Sequence, residues 1–169
     1  MRWLITCYLL ELLALAIWIG GLVVIIASVI PAVFNSLGME AGGRFLTRVF
    51  HGYNGLIAGC IVVLVGSGAW RTWLSTRGGV KAAGLTRTEL LLLTAMIVVA
   101  VLITAGLGPA TVQRQEEAFA AEGEAARKAA YEAFFRTHMI VRGLYLLNLG
   151  LGIVLTAVKV KTWLKRSIE

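Results

Sequence analysis

Residues 3–34 read WLITCYLLELLALAIWIGGLVVIIASVIPAVF, an apolar run interrupted by a single charge, Glu11. About 20 apolar residues in helical form cross a hydrocarbon layer of roughly 30 Å. This run exceeds one crossing, so it has to tilt or project beyond the membrane, with a bend expected at Pro31. An apolar run behind Arg2 also resembles a secretory leader. Glu11 breaks that pattern, however, and the apolar character continues to Phe34 without a small-residue cleavage site. The run reads as a retained first membrane helix.

The same signal recurs along the chain. Residues 35–43 hold Asn, Ser and Gly and read as a short external loop. A second helix is expected over 44–73, followed by a Gly- and Lys-containing loop at 75–85. Thr86 and Glu89 form a capping box, in which each side chain satisfies a backbone N–H of the other. Residues 90–107 then carry no charge, and Gly108-Pro109 marks the outer end of helix three. Residues 111–137 are polar and Ala-rich with Glu and Arg at helical spacing, which predicts one or two surface helices, the latter running into helix four at 139–160. The expected fold is all-α: a single domain forming a four-helix transmembrane bundle, with an external helical segment between helices three and four.

Composition agrees with this. Of 169 residues 59% are hydrophobic, and the mean hydropathy is +0.83. A soluble domain of this size cannot hide so much apolar surface. The net charge of +7 comes from 16 Lys and Arg against 9 acids, all of them Glu. No soluble basic face is left once the helices are placed, so nucleic acid is not an expected partner; membrane lipids are. Arg2, Arg71, Arg77, Lys81, Arg87 and the C-terminal cations Lys159, Lys161, Lys165 and Arg166 lie at one end of the bundle. At the other end the cations are fewer and diluted by Glu. The Lys/Arg bias of cytoplasmic loops therefore predicts a multi-pass protein with both termini in the cytoplasm. Cys7 and Cys60 lie inside apolar stretches without Cys-x-x-Cys spacing and read as buried thiols.

Ionisable groups in hydrocarbon cost about 2.5–3.5 kcal/mol each on insertion scales, so each needs a reason. On helix four, His138, Arg142, Tyr145, Leu149, Gly152 and Thr156 share one stripe, with Asn148 at its edge. On helix two, Arg48, His51, Gly55, Ala58 and Val62 form another, with Asn54 beside it. His51 and His138 are expected at similar outer depth. Two such histidines suit the axial ligands of a b-type haem in a helical bundle. With Met39 and Met139 they suit Cu(I). The plainer alternative is that each hydrogen-bonds locally near the interface. The candidate cofactor site is therefore His51, His138, Arg142 and Tyr145, with Arg142 facing a carboxylate, a haem propionate or a substrate anion, or snorkelling outward. Glu11 lies at the opposite end of the bundle from Arg142. A carboxyl group without a partner in hydrocarbon keeps its proton, so Glu11 is expected to be protonated or paired with water or a basic loop residue. A proton- or cation-handling carboxylate is the functional reading. Gly55 and Gly59, extended by Gly66, and Gly143 and Gly150 are small residues at packing spacings and are expected to serve the bundle's own helix contacts.

Several stretches stand together in one order: Trp18-Ile-Gly-Gly21, Pro31-Ala-Val-Phe34, Arg44-Phe-Leu, Arg48-Val-Phe-His51-Gly-Tyr, Gly108-Pro109, Arg114, Phe134-Phe-Arg-Thr-His138 and Leu146-Leu-Asn148-Leu. This order resembles the transmembrane protein 205-like family, a group of four-helix membrane proteins. The resemblance implies that His138 and Asn148 match the family's His and Asn at the last helix, and Arg114 its arginine after helix three. More distantly, Trp18-Ile-Gly-Gly21 is similar to the copper-resistance D type of membrane domain. There a histidine precedes the Trp by two turns, where this chain has Glu11, which removes a copper ligand.

No Ser-His-Asp set is possible without Asp, and no zinc motif or phosphate-binding glycine loop is present. The expected function is a non-enzymatic one, as a small subunit of a larger membrane complex. The alternative is a transporter, or a redox membrane protein binding haem b or a metal at the outer histidines.

Overall fold

The structure, a computed structural model, describes residues 2–77 and 84–168. All its regular elements are helical: α1 (Arg2–Val24), a π-helical turn (Ile25–Val29), α2 (Ile30–Arg77), α3 (Arg87–Val101), a second π-turn (Leu102–Leu107), α4 (Gly108–Ala120) and α5 (Glu124–Ile168). Three continuous stretches, Trp3–Arg77, Arg87–Ala120 and Glu124–Lys165, are long and apolar enough to cross a membrane. In the most apolar window of each, 28% of residues are buried. Many of the remaining apolar side chains, Leu13, Val62, Leu91 and Ile153 among them, are exposed, as they are where lipid is the solvent.

The first stretch, 75 residues long, folds back on itself. At Gly38 the backbone takes φ 71° and ψ −171°, a conformation that costs a residue without Cβ little. The two arms beyond it run antiparallel: Tyr53 Oη donates to the Trp18 carbonyl at 2.7 Å, and Arg71 reaches Glu11 at 2.7 Å. The loop expected over 35–43 is thus reduced to one non-helical residue, because a single positive φ suffices to reverse the path. The loop expected at 75–85 is helical through Arg77, and 78–83 fall outside the described residues. The capping box forms as expected: Glu89 N–H donates to Thr86 Oγ1 at 3.2 Å, and Thr86 N–H to Glu89 Oε2 at 2.7 Å.

Both prolines follow a π-turn. Ile30 N–H donates to the Ile25 carbonyl, five residues back, and Pro31 follows; Gly108 N–H donates to the Ile103 carbonyl, and Pro109 follows. Proline has no N–H, and its ring clashes with the carbonyl four residues back. Widening one turn relieves the clash without ending the helix. Helix three therefore does not stop at Gly108-Pro109; α4 carries it on to Ala120. The chain reverses at Gly123 (φ 86°), and α5 runs unbroken from the polar segment into the last apolar stretch. Of the one or two surface helices expected here, α4 is the extension of helix three and the second is the start of α5, continuous with helix four as expected.

The core collects Leu15, Trp18 and Leu22 of α1, Tyr53, Ile57 and Leu64 of α2, Leu93, Met96 and Ala100 of α3, and Leu155 of α5. Spacings of three and four place these side chains on one face of each helix. Gly152 lets α5 approach α1, since a Cβ there would lie 3.0 Å from Ile19 Cγ1.

Candidate functional site

The inward faces of α1, α2, α3 and α5 all end in a charge at the bundle end that holds both termini. On α1 the core positions Leu22, Trp18 and Leu15 lead to Glu11; on α2 Leu64 and Gly68 lead to Arg71. On α3 Ala100, Met96 and Leu93 lead back to Glu89, and on α5 Asn148, Gly152 and Leu155 lead to Lys159. The helical repeat that points the apolar residues inward points these four inward too. Glu11, Arg71 and Glu89 are 0% exposed and Lys159 1%.

They form one network. Glu11 Oε2 accepts from Arg71 Nη1 at 2.7 Å and from Lys159 Nζ at 2.6 Å. Lys159 Nζ stands 3.5 Å from Glu89 Oε1, close enough for ion pairing but without hydrogen-bond geometry. Arg71 Nη2 donates to Tyr8 Oη at 2.6 Å and to the Gly84 carbonyl at 3.5 Å, and its guanidinium lies 3.9 Å from the Tyr8 ring centroid. A Cβ on Gly68 would lie 2.8 Å from Leu85 Cδ1, so the two residues pack closely beside Arg71. Two carboxylates face two cations, so the cluster is formally neutral. Glu11 Oε1 and Glu89 Oε1 are both buried without a hydrogen-bond partner.

Toward the membrane interior the polar contacts are sparser. Asn148 Nδ2 donates to the Met96 carbonyl at 3.3 Å, with Asn148 Oδ1 unpartnered. Tyr145 Oη donates to Asn54 Oδ1 at 3.0 Å, and its ring packs on Phe50 and Tyr53. At the far end Arg114 donates to Thr137 Oγ1 across the α4–α5 hairpin, and exposed Arg44 pairs with Glu116 at 3.0 Å and Glu40 at 3.3 Å.

The residues singled out from sequence divide accordingly. Glu11 is buried and paired with Arg71 and Lys159, two of the cations whose bias toward one end sets the expected topology. Tyr145 and Asn54 are brought together, and Asn148 is buried. His51, His138 and Arg142 are exposed, and the His138 ring stacks near Phe134 of its own helix. On α5 Thr137, Asn148, Gly152, Leu155 and Lys159 are buried, so the inward face takes in Gly152 of the expected stripe but leaves His138 and Arg142 outside, and Met139, Ile140 and Leu147 are exposed. No group of three or more His, Cys or Glu suited to a metal ion occurs among the described residues. The small residues of α2 also depart from expectation. A Cβ on Gly55, Gly59 or Gly66 would meet nothing within 4 Å, so these glycines do not serve packing within the bundle. Glu89, Arg71 and Lys159 were missed as site residues because each sits near a helix end. The 4-3-4 spacing of Asn148, Gly152, Leu155 and Lys159 was the signal that could have found the lysine.

The family model that matches the chain is described as a domain of unknown function (DUF4149), and it covers residues 13–120. No curated protein and no solved structure matches.

Proposed function

The chain belongs to the DUF4149 family, and since that description carries no activity, we propose from the charge cluster that the protein is a proton-handling membrane transport protein with Glu11 as the carboxylate that takes and releases the proton. One observation carries this reading. A fully buried carboxylate holds two cations on one oxygen and leaves the other without a partner. A purely structural bridge gains most when both oxygens are used, as in bidentate pairing with arginine. Here Oε1 keeps a lone pair available in a medium where carboxylates within membrane helices serve as proton relays. Protonation at Oε1 removes the charge that holds both Arg71 and Lys159, so binding a proton changes which helices are tied together.

The test is proton flux. Protein reconstituted into vesicles with an enclosed pH-sensitive dye is given an inside-negative potential. Wild-type vesicles are expected to acidify faster than protein-free ones, and Glu11→Gln vesicles to behave as protein-free. Equal acidification of wild-type and empty vesicles overturns the reading.

A second reading, a subunit of a larger membrane complex, draws on α2. Gly52, Gly55, Gly59 and Gly66 are exposed with open space where a Cβ would stand. Small residues are favoured where helix backbones approach one another in lipid, and among the described residues no atom stands within 4 Å of where these Cβ atoms would lie. Cross-linking from Gly59→Cys in the native membrane is expected to yield a discrete product of one added mass. Reaction with lipid-soluble reagent alone counts against it. Both readings take the termini to be cytoplasmic, on the Lys/Arg bias of that end.

A further inference from the structure

We infer that Lys159 is a two-position switch, bound to Glu11 when Glu11 is ionised and passing to Glu89 when Glu11 takes up a proton. The inference rests on the reading of Glu11 as the proton site and names the group that responds.

The geometry is asymmetric in a way that suits a transfer. Lys159 Nζ lies 2.6 Å from Glu11 Oε2 and 3.5 Å from Glu89 Oε1, so the second carboxylate is already within ion-pair range. Glu89 Oε1 is buried and accepts no hydrogen bond, which leaves it ready to receive one. Its companion Oε2 is fixed by the Thr86 N–H at 2.7 Å, so the capping box holds the receiving carboxylate in place. Lysine is a compact charge on a flexible stem and can shift about 1 Å by rotation alone. Arg71 is held differently, by Tyr8 Oη at 2.6 Å, by the Tyr8 ring and by the Gly84 carbonyl. It is therefore the partner that stays.

The charges balance at each stage. With both acids ionised, the quartet of Glu11, Glu89, Arg71 and Lys159 is neutral. A hydronium ion gives its proton to Glu11 Oε1, the oxygen without a partner: one hydronium O–H bond breaks to leave water and the carboxyl O–H bond forms. Oε2 becomes a neutral carbonyl oxygen that still accepts from Arg71. Lys159 leaves Oε2 for Glu89 Oε1, so the quartet holds one Lys–Glu pair, one neutral acid and Arg71, with a net charge of +1. Glu11 is met by Arg71 from α2 and Lys159 from α5, with Tyr8 and Cys7 one turn before it on α1, and Glu89 of α3 stands on the other side of Lys159. The move replaces a tie between α5 and α1 with one between α5 and α3. Proton binding thereby frees the terminal end of α1 from the last helix.

The test measures where Lys159 sits. In lipid-embedded wild-type protein carrying ¹⁵N-lysine and ¹³C-glutamate, dipolar coupling from Lys159 Nζ to the carboxyl carbons of Glu11 and Glu89 is followed as pH falls, with Glu11 protonation read from its carboxyl resonance. The coupling to Glu11 is expected to be lost and that to Glu89 to strengthen as Glu11 protonates. In Glu11→Gln, a permanently neutral stand-in, the Glu89 coupling is expected at every pH. Lys159 remaining on Glu11 through its protonation, or Glu89 protonating first, overturns the switch. Flux in vesicles with an immobile Lys159 rejects the switch and spares the transport reading. A moving Lys159 without flux does the reverse.

Discussion

Lys159 and Glu11, 148 positions apart, meet at 2.6 Å in the buried interior and tie the last helix of the chain to the first. Glu11 also holds Arg71 of α2, and Lys159 stands beside Glu89 of α3. Four segments that lie far apart in sequence are thus registered against one another by charge. Removing such charges from water is costly, and removing one partner alone is costlier than exchanging the whole set.

Glu11→Gln is therefore expected to lower the melting temperature while leaving the protein folded, because two buried cations then share the one carboxylate of Glu89. Thermal unfolding in detergent checks this. The double change Glu11→Gln with Lys159→Met is expected to lose less than the sum of the single losses, the mark of direct coupling. Strict additivity would remove the ion pair from the account.

Gly152→Leu is expected to lower stability by roughly 1–3 kcal/mol through overpacking, since its Cβ would already press on Ile19 at 3.0 Å and on Met96 at 3.3 Å. Gly59→Leu, with nothing within 4 Å, is expected to leave the melting temperature of the isolated chain unchanged. Equal losses for both would contradict the packing.

Gly38→Ala places a side chain at φ 71° and is expected to cost about 1 kcal/mol or more. The change at Gly20, which is helical and open, serves as the comparison. Circular dichroism melts that rank Gly20→Ala as the more damaging would place the reversal elsewhere.

Glu122→Cys, at the α4–α5 hairpin, is expected to react with a membrane-impermeant thiol reagent from the outer side in intact cells, on a background lacking Cys7 and Cys60. Labelling only after the membrane is opened would invert the proposed topology.

The amino-acid sequence alone determines the all-helical membrane character, because hydrophobic run length and the 3.6-residue repeat are local properties. It also determines the Thr86–Glu89 cap, whose partners lie three residues apart, and it marks Glu11 as anomalous, because a charge within an apolar run stands out without reference to anything else. It misplaces the end of helix three: Gly108-Pro109 is a local signal to stop, but a π-turn satisfies the same constraint and lets the helix continue. It assigns Arg71 and Lys159 to the loops, since a cation near a helix end counts equally well as a solvated one. Only the tertiary structure decides that they turn inward, because their partners are set by which helices lie side by side. The same holds for His138 and Arg142: the inner part of their stripe, Tyr145, Leu149 and Gly152, packs against the core, while its outer end is exposed. Periodicity fixes the angle between residues on a helix; the neighbouring helices fix which angle is inside.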